Sequence, residues 1–396
     1  MNALPALALY VHMPWCVRKC PYCDFNSHAL KGDLPERIYV DALIDDLARS
    51  AEQAGGRAIQ SIFFGGGTPS LFGAASIERV LAAAGAALAL ADDVEVTLEA
   101  NPGTVERGRF ADYAAAGVNR ISLGAQSFDA GALERLGRIH SPLDTALAID
   151  EIRAAGIANF NLDLMYGLPG QDTAAALRDI ETALSYAPPH LSHYQLTLEP
   201  GTVFAAHPPR LPDEAVIDEM LAQCQHRLRA AGLVRYEVSA YAQEGARCRH
   251  NLNYWQFGDY IGIGAGAHGK RTGFDPFAVH RSTRVRDPRR YIARVERWRD
   301  EQAVDSRQLP FEFMLNALRL VDGFEEPLFT ARTGLALGSC DAQWSMLAAR
   351  GLVAREDGRI RPTARGLGFL NDALLPFLPD DHGPYTAKKN QEKTVG

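Results

Sequence analysis

The chain has 396 residues, 47% hydrophobic and 22% charged, with 41 Lys and Arg against 48 Asp and Glu for a net charge of −7. That length suggests a main domain with a smaller one, and the composition is that of an ordinary soluble globular protein. The acidic balance argues against non-specific nucleic-acid binding, and no stretch approaches the roughly 18 uninterrupted apolar residues of a membrane span.

In chain order, the first half alternates β-rich runs with alanine-rich helical patterns. Strands are expected at 6–13, 59–66, 94–100, 120–128, 159–167 and 191–199, and helices near 35–54, 75–90, 105–116, 142–155, 172–186 and 212–231. The opening "MNALPALALYVHMPW" lacks a basic segment and runs straight into cysteines, so it reads as a first strand rather than a signal peptide. Gly117 and Gly156 fall where helix C-caps are expected. Six βα units in series imply an α/β fold with a parallel sheet, and six rather than eight imply a partial, open barrel. The pattern changes after about residue 270. A basic run at 280–299 reads as a solvated helix face or as a surface meeting propionates or an acidic partner. Helices at 308–321 and 340–350, a strand-turn-strand wing and a final helix follow, and the last residues form a flexible tail. The expected division is 1–270 for the barrel, 271–380 for a smaller, mainly helical, winged-helix-like domain and 381–396 for the tail. The wing resembles a DNA-binding element, but the acidic chain favours a lid or docking role over the barrel mouth.

In parallel βα architectures ligands sit at the C-terminal ends of the strands. The first strand ends at the cysteines and the second in Gly65, Gly66, Gly67, Thr68 and Pro69. The third ends in Glu99, Asn101 and Pro102. The fourth carries Gln126 and Ser127, the fifth Asp163, and the sixth Tyr194 and Thr197. Taken singly, each is an ordinary loop residue. Six such ends together, beside a metal motif, mark one site. "GIGAGAHG" at 262–269 has the wrong spacing for a dinucleotide fingerprint and opens no βαβ unit, so it is expected to pass close to a bound cofactor.

Three of the six cysteines, Cys16, Cys20 and Cys23, crowd into a C-x₃-C-x₂-C stretch just after the first strand. Clustered thiols in a large chain read as metal ligands in a reducing cytosol, which makes the protein cytoplasmic. Thiolates bind zinc, copper(I) or iron–sulfur clusters. Structural zinc would need a fourth ligand at finger-like distance, for which His28 is a weak candidate. A [4Fe–4S] cluster on three thiolates leaves one iron open to a substrate or cofactor.

These cysteines, with Tyr22 before the last, resemble the signature of the radical S-adenosylmethionine superfamily. The resemblance implies a partial (β/α)₆ barrel and a [4Fe–4S] cluster whose open iron chelates S-adenosylmethionine. Cleavage of that cofactor yields a 5′-deoxyadenosyl radical. "YVHMPWC", "FFGGGTPS", "LEANPGT", "RISLGAQSF", "LGRIHS" and "NLDLMYGLPGQ" resemble the oxygen-independent coproporphyrinogen III oxidase family and its relatives. The likeness spans at least residues 8–270. By that resemblance Tyr10, Gly66, Gly67, Thr68, Glu99, Gln126, Arg138, Asp163, Thr197 and His268 surround S-adenosylmethionine. No residue is assigned as catalytic.

One departure matters. Those oxidases usually continue to a fourth cysteine, C-x₃-C-x₂-C-x-C, where this chain has Phe25. With the H-N-x-x-Y-W pattern of His250, Asn251, Tyr254 and Trp255, this resembles the haem chaperone branch of the family. The resemblance implies haem as cargo delivered to respiratory haem proteins, with His250 as an iron ligand and Tyr254 and Trp255 stacked on the porphyrin. The competing readings are a decarboxylating coproporphyrinogen oxidase and a structural zinc protein. Whether S-adenosylmethionine is ever cleaved, whether the chain pairs as a homodimer and whether it touches a membrane peripherally are left open by the sequence.

Overall fold

The protein, seen here as a computed structural model, is described over residues 4–103, 109–294 and 298–379. Six parallel strands form its centre: β1 (Leu7–Met13), β2 (Ile59–Gly66), β3 (Leu90–Ala100), β4 (Arg120–Gln126), β5 (Asn159–Tyr166) and β6 (His190–Gln195). Each pairs in parallel with the next. The intervening helices are α1 (Glu36–Ser50), α2 (Ala74–Ala87), α3 (Phe110–Ala115), α4 (Pro142–Ala154) and α5 (Thr173–Ser185), with α6 (Glu214–Ala230) after β6. Residues 105–108 of the predicted third helix and the tail at 381–396 lie outside the described residues.

Local chemistry explains these elements. β4 is buried along its whole length, as expected of a strand covered on both faces. α4 begins with a capping box, Ser141 and Asp144 exchanging hydrogen bonds across Pro142. Gly117 and Gly156 close α3 and α4 with positive φ angles of 105° and 76°, in the role expected of them. β3 starts four residues earlier than the sequence suggests, because Leu90 pairs with Ile59 as soon as α2 ends.

The sheet is larger than six strands. Among the described residues it has 12 strands, and its two end strands do not meet, so the barrel is open. Beyond β6 lies β7 (Ala240–Ala242), antiparallel to it. On the other side β8 (Asp259–Ile263) pairs in parallel with β1 as a seventh parallel strand. β9 (His268–Phe274), β10 (Phe277–Arg284) and β11 (Trp298–Ala303) then extend the sheet as an antiparallel meander. β8 and β9 were hidden in "GIGAGAHG", since glycine weakens a strand reading. Here the glycines are needed for close approach: a Cβ on Gly262 would strike the His268 backbone, and one on Gly264 the His12 carbonyl.

The basic run is thus not one helix face. It begins in strand β10, passes through a short helix (Pro288–Ile292) and reaches β11, and two of its arginines, Arg281 and Arg284, serve the fold. Arg284 is buried against Asp46, at 3.0 Å from both carboxylate oxygens, and donates to the Ser50 hydroxyl at 2.9 Å. Arg281 is paired with Glu312 and donates to the Tyr260 hydroxyl at 2.8 Å. Residues 295–297 of the run lie outside the described residues.

Between β7 and β8 a short helix, α7 (Arg249–Trp255), carries the H-N-x-x-Y-W pattern and packs against β2 and β1 at their starts. The Glu95 carboxylate, in mid-β3 but in register with Ser61 near the start of β2, accepts from the Arg249 and His250 amides at 3.0 and 3.3 Å. α7 therefore sits at the floor of the barrel, opposite the cysteine end.

A second apolar core brings α8 (Leu309–Ala317), α9 (Glu326–Thr333) and α10 (Asp341–Ala349) together with a hairpin, β12 (Val353–Glu356) and β13 (Arg359–Pro362). Phe313, Phe324, Phe329, Trp344 and Ile360 fill it, and Phe257 and Val279 reach in from the barrel side. α8, α10 and the wing follow the sequence reading; α9 is additional.

The Asp259 carboxylate joins β8, β9 and the N-terminal segment. It accepts from Arg57 at 2.7 Å, Lys270 at 2.9 Å, and the Thr272 amide and hydroxyl at 3.0 and 2.8 Å. Burial opposes its charge, but the Lys270 ammonium and these donors outweigh burial and hold its pKa below the ordinary 3.8. Replacing it strands a buried ammonium, so Asp259→Asn is expected to cost about 3–5 kcal/mol at neutral pH. A carboxyl depressed on folding stabilises above its unfolded pKa and loses that contribution as pH falls. The deficit of the variant should therefore shrink under acid. Urea unfolding of both proteins at pH 7 and at about pH 2.5, below the ordinary carboxyl value, checks this; an equal deficit at both would refute the charge-based account.

Candidate functional site

The cysteines lie on a loop tied down at both ends. His28 donates its amide to the Pro14 carbonyl at 2.7 Å, and Leu30 to Cys16 at 2.8 Å. The His12 ring bridges the Tyr10 hydroxyl and the Asn26 carbonyl, each at 2.9 Å. The Asn26 amide donates to the carbonyls of Ala265 and Arg286 at 2.9 and 3.0 Å. Within the loop the Cys23 amide closes a turn onto Cys20 at 3.1 Å, and Phe204 donates to Pro21 at 3.0 Å.

Beside this loop β2 ends at Gly66. A Cβ there would meet the His12 imidazole, and one on Gly67 the Trp15 backbone, so only glycine lets the two segments touch. The Gly66 amide donates to Glu99 at 3.0 Å, and Asn101 to the Thr68 hydroxyl at 2.9 Å. Arg138 spans the mouth, donating to the Asn101 side chain, to the Gly124 carbonyl at 2.8 Å and to the Cys20 sulfur at 3.7 Å. Gln126 holds a left-handed φ of 66°, uncommon for a side chain with a Cβ, and accepts from the Tyr194 hydroxyl at 2.6 Å. Deeper, Asp163 accepts from Ser122 at 3.0 Å and from Asn161 at 2.8 Å.

These residues enclose three adjoining cavities. The first, of about 450 Å³, is lined by all three cysteines, Gly66, Gly67, Thr68, Glu99, Gln126, Arg138, Asp163 and Thr197. The second, of about 460 Å³, shares Phe25, Gly66 and Glu99 with it and adds Tyr10, Tyr254, Tyr260, His268 and Arg286. The third, of about 220 Å³, lies toward the floor among Tyr10, Glu99, Arg120, Asp163, His190, Asn251 and Tyr254. Eight of the ten residues carried over for S-adenosylmethionine thus line the cysteine cavity, while Tyr10 and His268 line its neighbour.

Three of the four residues of the haem pattern, His250, Asn251 and Tyr254, line the third cavity, while Trp255 stands apart from it. His250 is 1% exposed, and its ring nitrogens lie 3.0 Å from the Ser61 hydroxyl and 3.1 Å from the Tyr254 hydroxyl. Burial, then the Arg120 charge, lower its pKa to about 3, so it is a neutral hydrogen-bonding imidazole with neither nitrogen spare. Asn251 and Tyr254 face the cavities. Trp255 lines none of the three and carries the Arg319 guanidinium over its ring at 4.3 Å.

Burial, then the neighbouring Asp163, raise the Glu99 pKa to about 8 against the opposing Gly66 amide, so the carboxyl is neutral at pH 7. Burial, ahead of a bond from Thr68, raises the Cys16 thiol to about 11, so loading a metal there releases a proton. The donor set fits an iron–sulfur cluster: three part-exposed thiols line one cavity with Arg138 alongside. Among the described residues no three metal-binding side chains converge on one point.

Ser122 and Asn161 line the site without having been singled out as site residues, whereas Tyr194 was read from the end of its strand. Period-two alternation could have found the first two: Ser122, Gly124 and Gln126 share a face, as do Asn161, Asp163 and Met165.

An open parallel barrel with three cysteines after its first strand defines a radical S-adenosylmethionine protein. Residues 10–183 match the Radical SAM superfamily, and residues 304–369 match the HemN C-terminal domain. The solved coproporphyrinogen III oxidase HemN of Escherichia coli aligns with a TM-score of 0.79 at 21% identity, over 94% of this chain and 90% of that one, which shows the shared fold. The heme chaperone HemW of Escherichia coli is 48% identical over 96% of this chain and 100% of its own. The heme chaperone HemW of Bacillus subtilis is 32% identical over 93% of this chain and 98% of its own. The chain belongs to the HemW family of radical S-adenosylmethionine proteins.

Glu99→Gln is expected to stabilise the protein free of cofactors. A carboxyl raised on folding keeps its proton while the unfolded chain ionises, so wild type loses stability as pH rises from about 4.5 to about 8. The variant's advantage should grow across that window and level off above it. Thermal unfolding at pH 5, 7 and 8.5 reads it; an advantage independent of pH would count against the protonated carboxyl.

Proposed function

We propose that this protein is a haem chaperone that carries a [4Fe–4S] cluster and S-adenosylmethionine in its first cavity and haem as cargo in the cavity beside it. The observation that carries the reading is the position of Phe25. It is 59% exposed, lines both cavities, and stands where the oxidase pattern has a fourth thiol. A phenyl ring supplies apolar face to a porphyrin and cannot take part in thiol chemistry.

Cys16, Cys20 and Cys23 hold the cluster, which supplies an open iron for the amino and carboxylate groups of S-adenosylmethionine and an electron for its cleavage. The glycines of β2 offer backbone approach. Glu99 and Arg138 carry opposite charges for the zwitterion once Glu99 ionises, and Asp163 accepts from ribose hydroxyls. The recipients are haem-requiring respiratory proteins. Among the described residues no helix is long and apolar enough to cross a membrane.

The reading is tested with protein reconstituted anaerobically. Iron and sulfide should both approach about four per chain and fall in Cys23→Ala. Haemin should give a protein-bound Soret band, and incubation of coproporphyrinogen III with dithionite and S-adenosylmethionine should give no protoporphyrinogen. Protoporphyrinogen formation would overturn the chaperone reading in favour of the oxidase.

A further inference from the structure

Haem bound in the second cavity needs a ligand for its iron, and the floor histidine has no nitrogen to offer. His12 bridges Tyr10 and Asn26, His190 bridges Asn161 and Tyr236, and His140 contacts the Ala125 carbonyl. His268 differs from all of these. It is the first residue of β9, it is exposed, and its side chain makes no hydrogen bond to a described residue.

Its surroundings suit a porphyrin. The same cavity is lined by the aromatic rings of Phe25, Tyr254 and Tyr260, and its volume of about 460 Å³ is in the range of cofactor sites. Tyr254 and Tyr260 are locked edge to face with centroids 4.5 Å apart, a rigid wall that costs little ordering on binding. The exposed Arg286 lines the rim and is the one guanidinium of this cavity. Protein packed against the inner side of His268, then the charges of Arg281 and Arg286, lower its pKa below 6.5, which keeps the imidazole in the neutral, metal-binding form. His268 lies outside the lining of the cysteine cavity, so iron bound to it leaves that cavity to the cluster and S-adenosylmethionine.

We infer that His268 is the axial ligand of the haem iron, with the porphyrin against Phe25, Tyr254 and Tyr260 and a propionate on Arg286. This rests on the haem-chaperone reading and moves the iron ligand from His250 to a residue first grouped with the S-adenosylmethionine site. Only a coordination bond forms, from an imidazole lone pair to iron, so no redox partner is required.

The test is haemin titration of the full chain, reconstituted with iron and sulfide, for wild type, His268→Ala, His268→Cys and His250→Ala. Soret position and electron paramagnetic resonance of the ferric haem are the readouts. His268→Ala should weaken haemin binding roughly tenfold or more and shift the Soret band, and added imidazole should restore the wild-type spectrum. His268→Cys should convert the spectrum to that of a thiolate-ligated haem. His250→Ala, if it folds by circular dichroism, should keep the wild-type spectrum. Where it does not fold, the two His268 variants and the imidazole rescue decide. A His268→Ala spectrum and affinity equal to wild type would overturn the inference while leaving the chaperone reading intact. Absence of haemin binding by wild type would overturn both.

Discussion

The site depends on a small set of hydrogen bonds that hold the cysteine loop to the barrel. The His12 ring spans Tyr10 and the Asn26 carbonyl, the Asn26 amide reaches the carbonyls of Ala265 and Arg286, and the Tyr39 hydroxyl donates to the His12 carbonyl at 2.7 Å while accepting the Ala265 amide at 3.0 Å. A loop of this length has no apolar core of its own, so its shape must be imposed by partners of fixed geometry. Those partners lie on β1 and on the turn after β8, which are adjacent because β8 pairs with β1. If the latch were loose, thiols on one loop could not face Glu99, Gln126 and Arg138 on three other elements.

Buried charge does the same for the outer sheet. Asp259 ties β8 and β9 to Arg57, and Asp46 on α1 holds Arg284 of β10 together with the Tyr291 hydroxyl at 2.8 Å. Each carboxylate is fully surrounded, so its partners must arrive together. The antiparallel extension is thereby held to the parallel barrel, and with it His268 and Arg286 are carried to the edge of the second cavity. Two of the arginines that look like a docking surface in the sequence, Arg281 and Arg284, are occupied in holding the sheet to its neighbours.

Much of the centre was legible beforehand because the signals are local. A strand period followed by a helix period, six times over, demands a parallel sheet, and a parallel sheet demands a site at one rim. Cysteine spacing and glycines at strand ends then name the chemistry. Ser122 and Asn161 escaped because a polar residue inside a strand resembles an outward-facing one until the barrel closes around it. α7 and β8 escaped because their glycines and polar residues obey long-range packing rather than propensity.

By itself the sequence determined the open α/β barrel, the three thiols and the substitution of phenylalanine for a fourth, since these follow from residue identity and periodicity along the chain. Only the tertiary structure decided which histidine is free. His250 and His268 are equally eligible as letters. Folding buries one at the floor between Ser61 and Tyr254 and leaves the other open beside Phe25. An imidazole can bind iron only if a lone pair is unspent, and that depends on neighbours brought from up to 189 positions away.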